Sequence, residues 1–308
     1  MNPTLKAYIQ LCRPANLPTA AADILAGVAV MSFSPGLLKH MRSLSIEEFV
    51  QLEPRPIEIF LLCLASVCLY AGGVVLNDFF DADLDAIERP ERPIPAGVVS
   101  KAAVLRFGLI LLLLGVGIAS ILNPVSGAIA AALSGMIVLY NWKAKHHSIA
   151  GPLAMGSCRS LNLLLGMSLL PGEPYWIFLL IPLLFIGAIT AISQGEVHGG
   201  KSTTQGIAAI LYFLVGAILL YLALSTASFW WFALGLLLLF YAMVLPPLYK
   251  AWKEPIAGNI RKAVKWGVIS LIVLDAAMAS AYVGPLFTLM ILALFPLSRT
   301  LSKVFAVT

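Results

Sequence analysis

Between Asn77 and Gly97 the chain reads NDFFDADLDAIERPERPIPAG, gathering six of its fifteen carboxylates: Asp78, Asp81, Asp83, Asp85, Glu88 and Glu91. Mg²⁺ takes oxygen ligands and is commonly held by one or two carboxylates together with phosphate oxygens of a substrate. Asp78, Asp81 and Asp85 stand at i, i+3 and i+7, so a continuous helix carries all three on one face, with Asp83 turned away. Asn77 sets an amide beside the first carboxylate. The prolines of the following RPERP stop the helix, and Arg89 and Arg92 are guanidinium donors for phosphate oxygens. The chemistry implied is a Mg²⁺ site that receives a phosphorylated ligand. The alternative is a solvated acidic helix end. Carboxylates there oppose the helix dipole and repel one another, so fold stability gives no reason for them.

The elements that must position these residues are membrane helices. Hydrophobic residues make up 60% of the 308 and charged residues 11%, with mean hydropathy +0.93. A soluble domain carries about 25% charged residues. Apolar stretches of bilayer-spanning length fall at 17–33, 57–77, 102–122, 124–142, 152–170, 175–194, 205–223, 228–247 and 264–283, and a tenth, 286–298, either spans or lies in the interface. The expectation is one all-α domain over 1–308, a polytopic bundle of nine transmembrane helices. Residues 1–16 form an interfacial segment and 34–56 an extramembrane loop. The N-terminus lacks the pattern of a cleavable signal peptide. Cys12, Cys63, Cys68 and Cys158 have no metal or disulfide spacing.

The positive-inside rule orients the bundle. With the N-terminus cytoplasmic, the inward loops carry Arg89, Arg92, Lys101, Lys143, Lys145, Lys201, Lys250, Lys253 and the 261–265 cluster. The outward loops near 123, 173, 225 and 284 carry no Lys or Arg, and only 34–56 breaks the pattern. The net charge of +5 is then a topology signal, which argues against a nucleic-acid partner. Both the acidic patch and a second polar segment, SQGEVHGGKSTTQG at 193–206, lie on the cytoplasmic side, four spans apart.

The pattern NDxxDxxxDxxxRPxRPxPxG resembles the first Asp-rich motif of the UbiA superfamily of intramembrane prenyltransferases. Arg13-Pro14-Ala15-Asn16, the YNWKAK segment from Tyr140 to Lys145 and the nine-helix layout agree with it. The resemblance implies two motifs on opposed loops that bind an isoprenyl diphosphate through Mg²⁺, with the lipid tail in a cavity open to the bilayer. It also implies that Lys145 contacts the diphosphate. The second motif of typical members resembles DxxDxEGD, whereas the matching run here, Ser193 to Lys201, keeps only Glu196. On this reading Asp78, Asp81, Asp85 and Glu196 are the metal ligands, and Lys201 or a protonated His198 neutralises phosphate. Gly199-Gly200 would bring backbone N–H groups to the phosphate, with Ser202, Thr203 and Thr204 adding hydroxyls. The run GEVHGGK is also similar to the UbiA-like EboC subgroup, which implies handling or export of a secondary-metabolite precursor.

Polar groups at membrane depth are costly and face a cavity or a partner. Asp23, Asp275, Arg159 and Asn162 are such groups, and Arg159 either pairs with Asp23 or Asp275 or reaches the diphosphate. Tyr140 and Trp142 either flank the cavity, where aromatic faces stabilise an allylic cation, or form an interfacial belt. His146 and His147 read as interfacial polar residues. The leading expectation is a Mg²⁺-dependent transferase passing a prenyl group to a small aromatic or hydroxylated acceptor, in a bacterial inner membrane. The rival, supported by the depleted second motif, is a non-catalytic binder or export component.

Overall fold

The computed structural model describes residues 2–32, 55–226 and 229–304, and among them every regular element is a helix. The expected loop at 34–56 lies outside the described residues except for Arg55 and Pro56. The elements are α1 (Pro3–Leu11), α2 (Leu17–Met31), α3 (Pro56–Phe80), α4 (Ala82–Glu88), α5 (Lys101–Leu122) and α6 (Pro124–Trp142). They continue as α7 (Ala150–Met167), α8 (Leu180–Ser193), α9 (Ser202–Thr226), α10 (Trp230–Lys253), α11 (Ala257–Leu292) and α12 (Leu294–Val304).

Local chemistry sets the starts of these helices. Pro56 occupies the first turn of α3, and Glu58 accepts from the Arg55 backbone N–H at 3.1 Å, the carboxylate half of a capping box. Ser100 caps α5 through the Ala103 N–H at 3.2 Å, and Asn123 caps α6 through the Ser126 N–H at 2.8 Å. His147, expected as a plain interfacial residue, caps α7: its Nδ1 accepts from the N–H groups of Ile149 and Ala150, both at 3.2 Å.

Two apolar cores flank a central pair of helices. Leu62, Leu69, Leu112 and Leu133 build one core from α3, α5 and α6; Phe185, Tyr212, Phe240 and Leu274 build the other from α8 to α11. α2 and α7 contribute to both. These two helices approach so closely that a Cβ on Gly27 would collide with the Leu163 carbonyl, and one on Gly166 with the Ile24 carbonyl. That contact sets Asp23 of α2 against Arg159 and Asn162 of α7.

Among the described residues, eight helical stretches are long and apolar enough to cross a membrane, α1 counted with α2 and α11 with α12, against the nine expected. The missing one is α7, which lies inside the bundle, with Arg159 and Asn162 among its buried residues. The tenth apolar segment is resolved by a reversal. Gly284 takes φ 75° ahead of Pro285, a backbone conformation that glycine tolerates and that breaks the helical run. Arg261 near the start of α11 and Val304 at the end of α12 line one cavity, and the Ser298 hydroxyl donates to the Ala15 carbonyl at 2.7 Å. The C-terminal segment therefore runs back across the bundle to the end that carries the motifs.

Candidate functional site

α3 gives way to α4 at Asp81, whose φ of −88° and ψ of 0° bend the chain without turning it away. Asp78 and Asp85 stay on one side and share a partner: Arg92 Nη1 donates to Asp78 Oδ1 at 3.1 Å and to Asp85 Oδ2 at 2.7 Å. Asp81 is taken by Lys145 Nζ at 2.5 Å. Asp83 points away to Lys101, as its spacing predicts. Asn77 donates to Asn141 Oδ1 at 3.0 Å, and Asn141 in turn to the Gly73 carbonyl at 3.0 Å, pinning α3 to α6. Among the described residues, no three His, Cys, Asp or Glu side chains are already gathered for a metal ion. The four aspartates of the first motif each rest on an arginine or lysine instead.

Three cavities meet here. An apolar pocket of about 210 Å³ runs between α3, α6 and α7, lined among others by Leu133, Ile137 and Cys158. An inner polar chamber of about 370 Å³ carries Asp81, Asp85, Lys145 and Glu196. Tyr70, Asn77, Tyr140 and Arg159 line both of these cavities. A vestibule of about 520 Å³ holds Asp78, Arg92 and Arg261. Arg13 lines all three. It donates to Asp78 Oδ1 at 3.0 Å from a left-handed backbone position with φ 46°, rare for a residue with a Cβ and costly unless its surroundings fix it. The sequence reading noted RPAN only as a landmark and passed over Arg13; a cation just before a proline at the mouth of the first span was the available signal.

The second loop meets this arrangement through Glu196. Its Oε1 is buried and has no hydrogen-bond partner, while its side chain lines both the chamber and the vestibule. Burial pushes the Glu196 carboxyl above its ordinary pKa, partly opposed by Arg89, Arg13 and Arg261. Burial likewise raises Asp85, with Arg92 opposing. His198 Nε2 stands 3.9 Å from Glu88 Oε1, so the two loops face each other. Two expectations change. The Gly199 N–H is bonded to the Gly195 carbonyl at 3.0 Å and the Gly200 N–H to the Pro255 carbonyl at 2.9 Å, so neither is free for phosphate. Gly199, at φ 84°, is required by the turn itself. Lys201, Ser202, Thr203 and Thr204 line neither polar cavity.

The remaining predicted residues divide by role. Arg159 Nη1 donates to Asp23 Oδ2 at 2.7 Å, Asn162 donates to the same oxygen at 2.8 Å, and Ser66 donates to Asn162 at 2.7 Å. Asp23 and Asn162 thus hold Arg159 in place behind the chamber. Tyr140 lines both the apolar pocket and the chamber, but Trp142 is exposed with Lys143 Nζ 4.2 Å over its ring, an interfacial pair. His146 lines the chamber.

Oxygen donors from two opposed loops, one of them an orphaned buried carboxylate oxygen, fit a Mg²⁺ ion. The basic groups beside them fit an anionic ligand of higher charge.

The chain is 33% identical over 180 residues to a digeranylgeranylglyceryl phosphate synthase of Methanopyrus kandleri, covering 57% of this chain and 58% of that protein. It is 32% identical over 163 residues to the one of Methanococcoides burtonii, covering 53% and 54%. It therefore spans little more than half the length of these curated relatives. Among solved structures it is similar to one described as giving insights into digeranylgeranylglyceryl phosphate synthase in membranes, with TM-score 0.61, 23% identity and coverage of 90% and 98%. It is also similar to a UbiA homolog from Archaeoglobus fulgidus bound to GPP and Mg²⁺, with TM-score 0.66, 13% identity and coverage of 94% and 99%. These likenesses establish the fold. The UbiA prenyltransferase family matches residues 50–257, the region of both motif loops, Lys145 and Glu196. With that match covering well over half of an all-helical membrane bundle, the protein is an integral membrane member of the UbiA prenyltransferase family.

Proposed function

We propose that the protein transfers a prenyl group from an isoprenyl diphosphate to a hydroxyl-bearing acceptor. The observation that carries this reading is the junction of the polar chamber with the apolar pocket at Arg13, Tyr70, Asn77, Tyr140 and Arg159. A ligand with an anionic head and an apolar tail matches such a pair of cavities.

Asp78, Asp81, Asp85 and Glu196 would hold Mg²⁺, which when bound supplies positive charge against the diphosphate oxygens. Lys145, Arg13, Arg89 and Arg92 would bind the diphosphate and stabilise the charge it gains as the allylic C–O bond breaks. Tyr140, which lines both cavities, would offer its ring to the allylic cation. The acceptor hydroxyl then forms the new C–O bond to that carbon, and its proton passes to solvent or to the released diphosphate. A hydroxylated acceptor is favoured over an aromatic one because the relatives' names describe a prenylated glyceryl phosphate product. The Lys and Arg distribution supports a cytoplasmic placement of the N-terminus and both motif loops.

A second reading, a binder of prenyl diphosphates, is favoured by the single carboxylate of the second loop. The test is diphosphate release from labelled donors of several chain lengths, with Mg²⁺ and candidate acceptors, by the protein in lipid. Release that Asp81→Asn abolishes supports the transferase; binding without release across the panel supports the binder.

A further inference from the structure

α12 reaches the site through one hydroxyl. Ser298 is buried, while every other residue of α12 is half-buried or exposed. α11 and α12 carry five further Ser and Thr hydroxyls, those of Ser270, Ser280, Thr288, Thr300 and Ser302, and each donates to a carbonyl three or four residues back on its own helix. Such back-bonding is a common resort of a hydroxyl placed on a helix. Ser298 departs from it, donating instead to the Ala15 carbonyl at 2.7 Å across 283 positions of the chain. Both ends of this contact lie outside residues 50–257, the region matched by the family.

Ala15 is the middle residue of a 3₁₀ turn, Pro14–Asn16, which the chain enters from Arg13 at φ 46° and ψ 66°. A left-handed backbone at a residue with a Cβ persists only where its surroundings hold it. Within the turn the Asn16 N–H donates to the Arg13 carbonyl at 3.0 Å. From the start of α2, Thr19 Oγ1 donates to the Asn16 carbonyl at 2.7 Å and accepts from Arg159 Nη2 at 2.5 Å. From α12 comes the Ser298 hydroxyl. The turn so held carries the guanidinium that donates to Asp78 and lines all three cavities.

We propose that Ser298 is a positioning residue for the donor: by holding the Ala15 carbonyl it locks the turn that presents Arg13 to the diphosphate, which makes α12 part of the binding apparatus. Ser298 touches no reacting atom. The inference rests on the donor reading above and adds to it the element that fixes Arg13.

The test titrates the full-length protein in phosphatidylcholine nanodiscs with geranyl diphosphate in the presence of Mg²⁺. Loss of one buried hydrogen bond predicts about fivefold weaker binding to Ser298→Ala. Arg13→Ala should bind more weakly still, and adding Ser298→Ala to it should cost nothing more, because the serine acts through the arginine. Ser280→Ala removes a buried hydroxyl bonded within α11 and should leave affinity unchanged, while melting curves compare the folding of all four variants. Unchanged affinity in Ser298→Ala overturns the proposal. A loss that persists in full in the Arg13→Ala background, or that Ser280→Ala matches, marks a general structural role and overturns it too.

A second readout is amide hydrogen exchange over residues 13–17, which should be about fivefold faster in Ser298→Ala and unchanged in Ser280→Ala. Exchange at the wild-type rate in Ser298→Ala overturns the proposal even where affinity falls. If the wild-type protein binds no geranyl diphosphate, the donor reading falls, and the exchange result alone decides whether Ser298 holds the turn.

Discussion

Lys145 Nζ donates to Asp81 Oδ1 at 2.5 Å, tying the segment after α6 to the end of α3. The lysine side chain is 7% exposed, so the pair is poorly screened. Removing either partner leaves the other charge without its match, which is more damaging than losing the contact alone. Lys145→Met and Asp81→Asn should each lower turnover by about a hundredfold or more, the scale of losing one preorganised electrostatic group. The double variant should be little worse than either single, because the residues act as a unit. Single-turnover rates of all three variants check this, and simple multiplication of the two losses would contradict it.

Asp23 and Arg159 form a buried pair, 1% and 6% exposed. Asp23→Ala strands a buried guanidinium and should destabilise the protein by about 3–5 kcal/mol, while a double change to Leu and Met should recover much of that loss. Activity should not return with stability, because Arg159 lines the chamber. Chemical denaturation in detergent, run beside the turnover assay, separates the two effects.

The close approach of α2 and α7 requires glycine at 27 and 166. Gly27→Leu should cost about 1–3 kcal/mol through overpacking. It should also weaken donor binding, since the crossing sets Asp23 against Arg159. Melting temperature and ligand affinity should fall together. A stable variant with full affinity would show that the crossing does not position the site.

Glu196 gives a pH signature. Its folded-state pKa is raised above the unfolded value by burial. The neutral carboxyl therefore favours the folded state below the ordinary glutamate pKa of about 4.3. That contribution is lost as pH rises through the raised folded value. Mg²⁺ competes with the proton for the ionised group, so Mg²⁺ affinity should increase over the same rise in pH. Glu196→Gln should flatten both trends. Melting curves and Mg²⁺ titrations at several pH values measure them, and identical slopes in variant and wild type would remove Glu196 from the metal set.

The sequence showed the helical class, the first motif and the Asp83 exception, because those depend on composition and short-range spacing. Arg13 and Arg261 were missed for a physical reason. Their roles come from contacts 65 residues away, Arg13 with Asp78 and Arg261 with Glu196, and both resemble ordinary topology charges in the linear chain. Gly199 and Gly200 misled in the opposite direction. Their free N–H groups in the sequence are consumed by Gly195 and Pro255 once the loop folds. The span read at 152–170 is present as α7, but Arg159 and Asn162, satisfied by Asp23, make it more polar than the eight lipid-length helices.

The central claim is that the two loops form a single Mg²⁺-dependent diphosphate site, and affinity for geranyl diphosphate measures it directly. Titrations on wild type, Asp81→Asn and Glu196→Gln, each with and without Mg²⁺, should show binding at least about tenfold weaker without the ion. Each variant should lose most of that Mg²⁺ dependence. Equal affinity with and without Mg²⁺ in the wild type, unchanged in both variants, would contradict the account.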